Sequence, residues 1–226
     1  MTENAKTISI GGLPADLSII DSPNFLIFIH GVASDKNSPR MVAAGKAVSE
    51  AGIASTLRYS SSRNWSQYNP SQHPRVKALA FGNKTFQEQL HELDTVVEYA
   101  IAEFHPERIF LSGHSYGGAL AIMETWQKPI AKALLSSPQV HLTEKWYSRP
   151  LYRGFPSADI FSAILQRCEC PLYIIHGDND LDVPIEQSEW ITKQAKNSVL
   201  ERIAGADHSY SGKTQEWVRH HIAAFQ

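Results

Sequence analysis

Short continuous apolar runs punctuate the chain. Between them lie longer stretches whose apolar positions recur every three or four residues. "FLIFIH" (Phe25–His30), "IASTLRY" (Ile53–Tyr59), "RIFLSG" (Arg108–Gly113), "AKALLSS" (Ala131–Ser137), "PLYIIHG" (Pro171–Gly177) and "SVLERIAG" (Ser198–Gly205) are runs of the first kind. A strand covered on both faces reads as such a run, because neither side of the pleat meets water. "SPRMVAAGKAVSEAG", "KTFQEQLHELDTVVEYAIAEF" (Lys84–Phe104), "YGGALAIMETW", "PIEQSEWITKQA" and "GKTQEWVRHHIAAF" are of the second kind and predict helices. Gly52 closes the first of them and Pro106 stops the second. Near the N-terminus "TISIGGLPADLSII" predicts two short strands about a Gly/Pro turn, an antiparallel edge.

Strands alternating with helices predict an α/β fold with a doubly wound, mostly parallel sheet. No repeat or linker divides the chain, so residues 1–226 read as a single domain. Two stretches interrupt the alternation. Ser60–Asn83 is polar and dotted with aromatics. The stretch at about 139–167, between the strands at 131–137 and 171–177, reads as a short lid or cap insertion. It carries Trp146, Tyr147, Tyr152, Phe155 and Phe161, with Lys145, Arg149 and Arg153 interleaved. Those aromatics predict a helical cap packed on itself. The sharper reading is an apolar acyl pocket with a cationic rim.

"SGHSYGGAL" carries the first candidate chemistry. Gly113 and Gly117 flank Ser115 two positions away on either side, at the junction of a predicted strand and a predicted helix. That spacing and context make a nucleophile elbow, a tight turn that presents a serine hydroxyl at the sheet edge. The plainer alternative is a serine helix cap. A serine hydroxyl needs a base within reach, and the base needs an orienting partner. His208, in "AGADHSY" after the last strand, is the candidate base. The orienter lies in "HGDNDLDVP", after the strand before it. Asp178 follows Gly177 directly and reads as a brace of its own loop. Asp182 precedes Val183-Pro184 and reads as a cap for the next helix. Asp180 remains as the orienter, with Asp182 the runner-up. The peptide after His30-Gly31 can aim an N–H at a developing oxyanion. Val32 is assigned that role, with Ala33 the alternative, and the N–H of Tyr116 supplies the second donor. His30, His114 and His176 are expected beside the site as loop braces, Asp207 as a turn residue, and His220-His221 on a solvated helix face.

At "HGVA", "GHSYGG", "HGDNDLDVP" and "GADH", in that order, the chain resembles the α/β-hydrolase superfamily of serine esterases and lipases, from about Phe25 to the C-terminus. The resemblance implies a Ser-Asp-His hydrolase without a cofactor. It also implies the pattern His-Gly-x-x-Asp-x-x-Val-Pro, which falls on Asp180. The expected activity is cleavage of a carboxylic ester or thioester of a small to medium substrate. An amidase or peptidase, a carbon–carbon hydrolase and a ligand-binding protein on the same fold are the alternatives.

Composition removes other classes. A net charge of −2 offers no basic stripe for nucleic acid. No apolar run reaches the length of a membrane span, and "MTENAKTISIGG" is no secretory signal, so a cytoplasmic location is expected. Gly-x-Gly-x-x-Gly after the first strand, a Walker loop and His-Glu-x-x-His are all missing, so neither cofactor nor metal is expected. Cys168 and Cys170 alone cannot complete a zinc site. The expected partner is a small-molecule substrate; oligomeric state stays open.

Overall fold

The computed structural model describes residues 5–32, 34–62, 84–142 and 152–226. Within them eight strands form one sheet: β1 (Lys6–Ile10), β2 (Leu13–Ser18), β3 (Asn24–Ile29), β4 (Ser55–Tyr59), β5 (Arg108–His114), β6 (Ile130–Ser136), β7 (Leu172–Gly177) and β8 (Ser198–Ile203). Their spatial order is β1-β2-β4-β3-β5-β6-β7-β8. The glycine turn at Gly11-Gly12 folds β1 back on β2, and β2 runs antiparallel to β4. All later pairings are parallel.

The helices are α1 (Pro39–Glu50), α2 (Phe86–Phe104), α3 (Tyr116–Gln127), α4 (Ala158–Arg167), α5 (Glu186–Gln194) and α6 (Thr214–Phe225). Alternate residues of β3 explain how they are shared between the two faces. Phe25, Ile27 and Ile29 enter a core with residues of α2, α3, α4 and α5. Leu26 and Phe28 enter a second core with Met41, Ala44 and Val48 of α1 and Trp217, Ala224 and Phe225 of α6. The apolar runs of the central strands therefore feed two cores at once, as a doubly wound sheet requires.

Local chemistry sets the ends of the elements. Thr85 caps α2 through a reciprocal box: its hydroxyl accepts from the Glu88 N–H, and the Glu88 carboxylate accepts from the Thr85 N–H at 2.7 Å. The second half of the 139–167 segment forms α4, the crossover helix between β6 and β7, with Phe161 and Leu165 wholly buried. Tyr152 and Phe155 are buried with Phe86 and Tyr116, while Lys145, Trp146, Tyr147 and Arg149 lie outside the described residues. So does most of the Ser60–Asn83 stretch.

Two expectations are corrected here. His221 does not lie on a solvated face. It is fully buried; its Nδ1 donates to the Trp217 carbonyl at 2.8 Å and its Nε2 accepts from the Ser112 hydroxyl at 2.7 Å. That side chain pins α6 to β5, and burial pushes its imidazole down to about 3. Asp182 does not cap α5: the helix begins at Glu186, its N-cap Ile185 makes no side-chain cap bond, and Asp182 is exposed.

Candidate active site

In the parallel part of the sheet the strands end in register. Ile29 pairs with Gly113, His114 with Ser136, Ser136 with Ile175 and Gly177 with Ile203. The loops after β3, β5, β6, β7 and β8 therefore meet along one edge, where open α/β sheets bind ligands.

Ser115 occupies the turn from β5 into α3 with φ 55° and ψ −118°, a conformation a side chain adopts only under strain, at about 1–3 kcal/mol. It makes no side-chain cap bond to α3, so the plain helix-cap role is not what the turn serves. The flanking glycines explain the spacing. A Cβ on Gly113 would overlap the Gly117 carbonyl, and one on Gly117 would overlap the carbonyls of Ile29 and His30. A Cβ on Gly118 would come within 2.8 Å of the Pro138 ring. Only hydrogen fits where the elbow presses on β3 and β6. The Ser115 N–H donates to the Ser136 carbonyl and its own carbonyl accepts from the Gly118 and Gln139 N–H groups, which fixes the turn.

His208 stands opposite. Its Nε2 lies 3.0 Å from Ser115 Oγ and its Nδ1 2.8 Å from Asp180 Oδ2. Asp180 is buried. Burial raises its carboxyl, but hydrogen bonds from His176 and His208 and from the Val183 N–H outweigh that and hold it far below the usual carboxylate range. An ionised carboxylate only accepts, so His208 Nδ1 carries the hydrogen and Nε2 is left to accept from the serine hydroxyl. The loops that carry Asp180 and His208 are tied together. Asp178 Oδ1 accepts from the Gly205 N–H at 2.6 Å, and a Cβ on Gly177 would overlap the Ala206 carbonyl. Asp178 therefore braces the neighbouring loop rather than its own. Asp207 closes its own turn by accepting from the Ser211 N–H.

The other histidines surround this group. The His114 ring lies 4.9 Å from the His208 ring, with its Nδ1 on the Ser136 carbonyl at 3.1 Å. Burial, with Arg40 and His208 nearby, drives its imidazole well down, so it stays neutral. His30 accepts the Ser61 N–H at Nε2 and donates from Nδ1 to the Gly31 carbonyl, which holds the loop after β3. That loop runs against Ser115: a Cβ on Gly31 would meet Ser115 Cβ at 3.3 Å. Val32 and Ser115 share a cleft of about 210 Å³ with Gln139, Tyr152, Asp182, Val183 and His208. Tyr116, at the first position of α3, directly follows Ser115, and Ala33 lies outside the described residues.

Sequence reasoning did not single out Gln139, Val183 or Tyr210. The first two line the cleft. Tyr210 anchors the loop that carries His208, its hydroxyl bonded to Ser137 Oγ at 3.0 Å and to the Ile175 carbonyl. Gln139 had one available signal, its place just beyond a predicted strand on the ligand-binding edge. Among the described residues no group of three or more His, Cys, Asp or Glu side chains is placed to hold a metal ion, and no helix is long and apolar enough to cross a membrane.

No protein-family model matches the chain, and no curated protein matches it in sequence. Solved structures do match. Est1E from Butyrivibrio proteoclasticus superposes with a TM-score of 0.74 at 22% identity, covering 97% of this chain and 96% of that one, and it is also known with ferulic acid bound. An esterase from Pyrococcus furiosus gives 0.74 at 17% identity over 96% and 88%. An α/β serine hydrolase homologue from Coxiella burnetii gives 0.71 at 17% over 100% and 99%. The likeness is one of fold: the described residues of this chain have the α/β-hydrolase fold.

Proposed function

We propose that this protein hydrolyses a carboxylic ester or thioester of small to medium size through an acyl-enzyme on Ser115. Ser115 Oγ attacks the carbonyl carbon and passes its proton to His208 Nε2. Asp180 holds the ring by Nδ1 and stabilises the imidazolium. The N–H groups of Val32 and Tyr116 hold the oxyanion. The tetrahedral adduct then expels the alcohol or thiol, which takes its proton from His208. Water attacks the acyl carbon, His208 takes a proton from it and returns one to Ser115, and the acid leaves.

One observation carries this reading: the His208 ring is bonded at both nitrogens, to Ser115 at 3.0 Å and to buried, ionised Asp180 at 2.8 Å. The strained Ser115 backbone supports it, since strain of this kind persists where surrounding structure enforces it at a functional site. The esterases among the structural neighbours favour an ester over an amide. A cleft of about 210 Å³ walled by Val32, Val183 and Tyr152 suits a short acyl group. Gln139 and Tyr152 on that wall support reading the 139–167 segment as the cap of the site. Free Cys168 and Cys170 fit a cytoplasmic setting, where thiols stay reduced.

A panel of p-nitrophenyl esters of rising acyl length, run beside a thioester and an anilide, tests the proposal. Short acyl esters should be cleaved fastest and the anilide slowest. Ser115→Ala should lower turnover by several orders of magnitude, about a millionfold in a comparable triad. Equal ester turnover by wild type and Ser115→Ala would remove the proposal.

A further inference from the structure

Asp180 is held by more than its triad partner. Its Oδ1 accepts two backbone hydrogen bonds, from the N–H of Asp182 at 3.0 Å and of Val183 at 2.9 Å. Its Oδ2 faces two imidazoles: His208 Nδ1 at 2.8 Å and His176 Nε2 at 3.3 Å. A carboxylate offers about four acceptor sites; three take hydrogen bonds, and the fourth faces the His176 Nε2–H at 3.3 Å.

The hydrogen on His176 is fixed by its surroundings. Nε2 lies between Asp180 Oδ2 and the Val183 carbonyl, the latter at 2.9 Å. Both atoms only accept, so Nε2 donates. Nδ1 lies 2.6 Å from the Ser188 hydroxyl on α5, which fixes the ring plane. His176 and Ser188 are fully buried. His176 does not touch the cleft, so it acts on the site only through Asp180.

We propose that His176 is a positioning residue: its Nε2–H, which donates to the Val183 carbonyl and also faces Asp180 Oδ2 at 3.3 Å, competes with His208 for that oxygen and so sets how strongly the acid holds the base. This rests on the reading of Ser115, Asp180 and His208 as a triad. The two bonds at Oδ1 keep the carboxylate in place whether or not His176 is present. The second donor at Oδ2 draws off part of the negative charge that would otherwise face the His208 ring. The other groups around His208 are Ser115 at Nε2 and the neutral His114 ring on its face. Asp182 shares the cleft, and Arg40 acts on His114 from beyond.

The test uses His176→Leu, which removes the donor, and His176→Gln, whose amide N–H reaches about the same point. The His208 ring is titrated by NMR in each, and the acid limb of kcat/KM is followed alongside. Removing the donor should raise the His208 midpoint by roughly half a unit to one unit, about the worth of one hydrogen bond. The acid limb of kcat/KM should move up with it, with KM at the pH plateau unchanged. His176→Gln should bring both back to wild type. If His176→Leu does not fold, Ser188→Ala, which frees the ring, should move the midpoint the same way by less. An unmoved or lowered midpoint in a folded variant overturns the proposal, and so does a His176→Gln variant displaced as far as His176→Leu. The NMR arm needs no substrate. If the wild type cleaves no ester yet the midpoint moves, the catalytic reading has failed and the coupling of His176 to Asp180 stands.

Discussion

Ser115 and Asp180 are each over-determined, by different means. Ser115 is held in a left-handed conformation by glycines that leave no room for a methyl group. Asp180 is held by backbone and imidazole donors at both oxygens. Replacing Asp180 by Asn keeps the shape but puts an amide where Nδ1–H must find an acceptor, which permits the wrong imidazole tautomer. Turnover should fall by about 10⁴-fold. Asp182→Asn should leave kcat/KM on a neutral ester within a few fold and the melting temperature unchanged, because the exposed carboxylate caps nothing. Steady-state kinetics and thermal melts of both variants check this; a large loss in Asp182→Asn alone would reverse the assignment. Asp180 was singled out by the pattern His-Gly-x-x-Asp-x-x-Val-Pro and by setting aside Asp178 and Asp182, although the roles given to those two are not the ones they hold. The fate of His221 was not legible. Its burial depends on β5 presenting Ser112 to α6, a pairing between residues far apart in the chain.

Among the elements, α3 carries a second buried acid with no such support. Glu124 is fully buried, and neither carboxylate oxygen has a hydrogen-bond partner among the described residues. Burial, then Asp94, pushes it up to about 8, against a smaller opposing pull from Lys128. Its folded pKa lies above the unfolded one, so the stability it allows is full below the ordinary carboxylate range. That stability is lost as pH rises towards 8, because the unfolded chain releases the proton first. Glu124→Gln stays neutral throughout. Its melting temperature should gain on wild type steadily between pH 5 and 8 and level off above; parallel curves for the two proteins would contradict the burial of an uncompensated charge. The elements themselves were largely legible, because runs fed by two cores are continuous and helices facing one core are periodic. The exceptions have local causes. The helix α4 was expected only as part of a helical cap, without bounds, because it is short and follows a Pro-Ser entry. The helix α5 starts at Glu186 rather than Pro184 because the Pro184 carbonyl closes a tighter turn, accepting from the Gln187 N–H, and the first full helical bond runs from the Glu189 N–H to Ile185.

At the scale of the whole molecule, the sheet order carries the candidate site. Ser115 and Asp180 lie 93 and 28 residues from His208 along the chain, yet the three meet because β5, β6, β7 and β8 are consecutive neighbours ending in register. Chain order alone made that meeting legible, since each candidate followed a predicted parallel strand. The packing of Tyr152 and Phe155 on Phe86 and Tyr116 was not legible, because such packing leaves no periodic trace. The central claim is that this assembly activates Ser115, and a fluorophosphonate probe measures that without knowledge of the substrate. Intact-protein mass spectrometry should show one adduct per chain, and peptide mapping should place it on Ser115. Ser115→Ala should take no label, and His208→Ala should label far more slowly. No adduct at large reagent excess, or an adduct on another residue, would contradict the account.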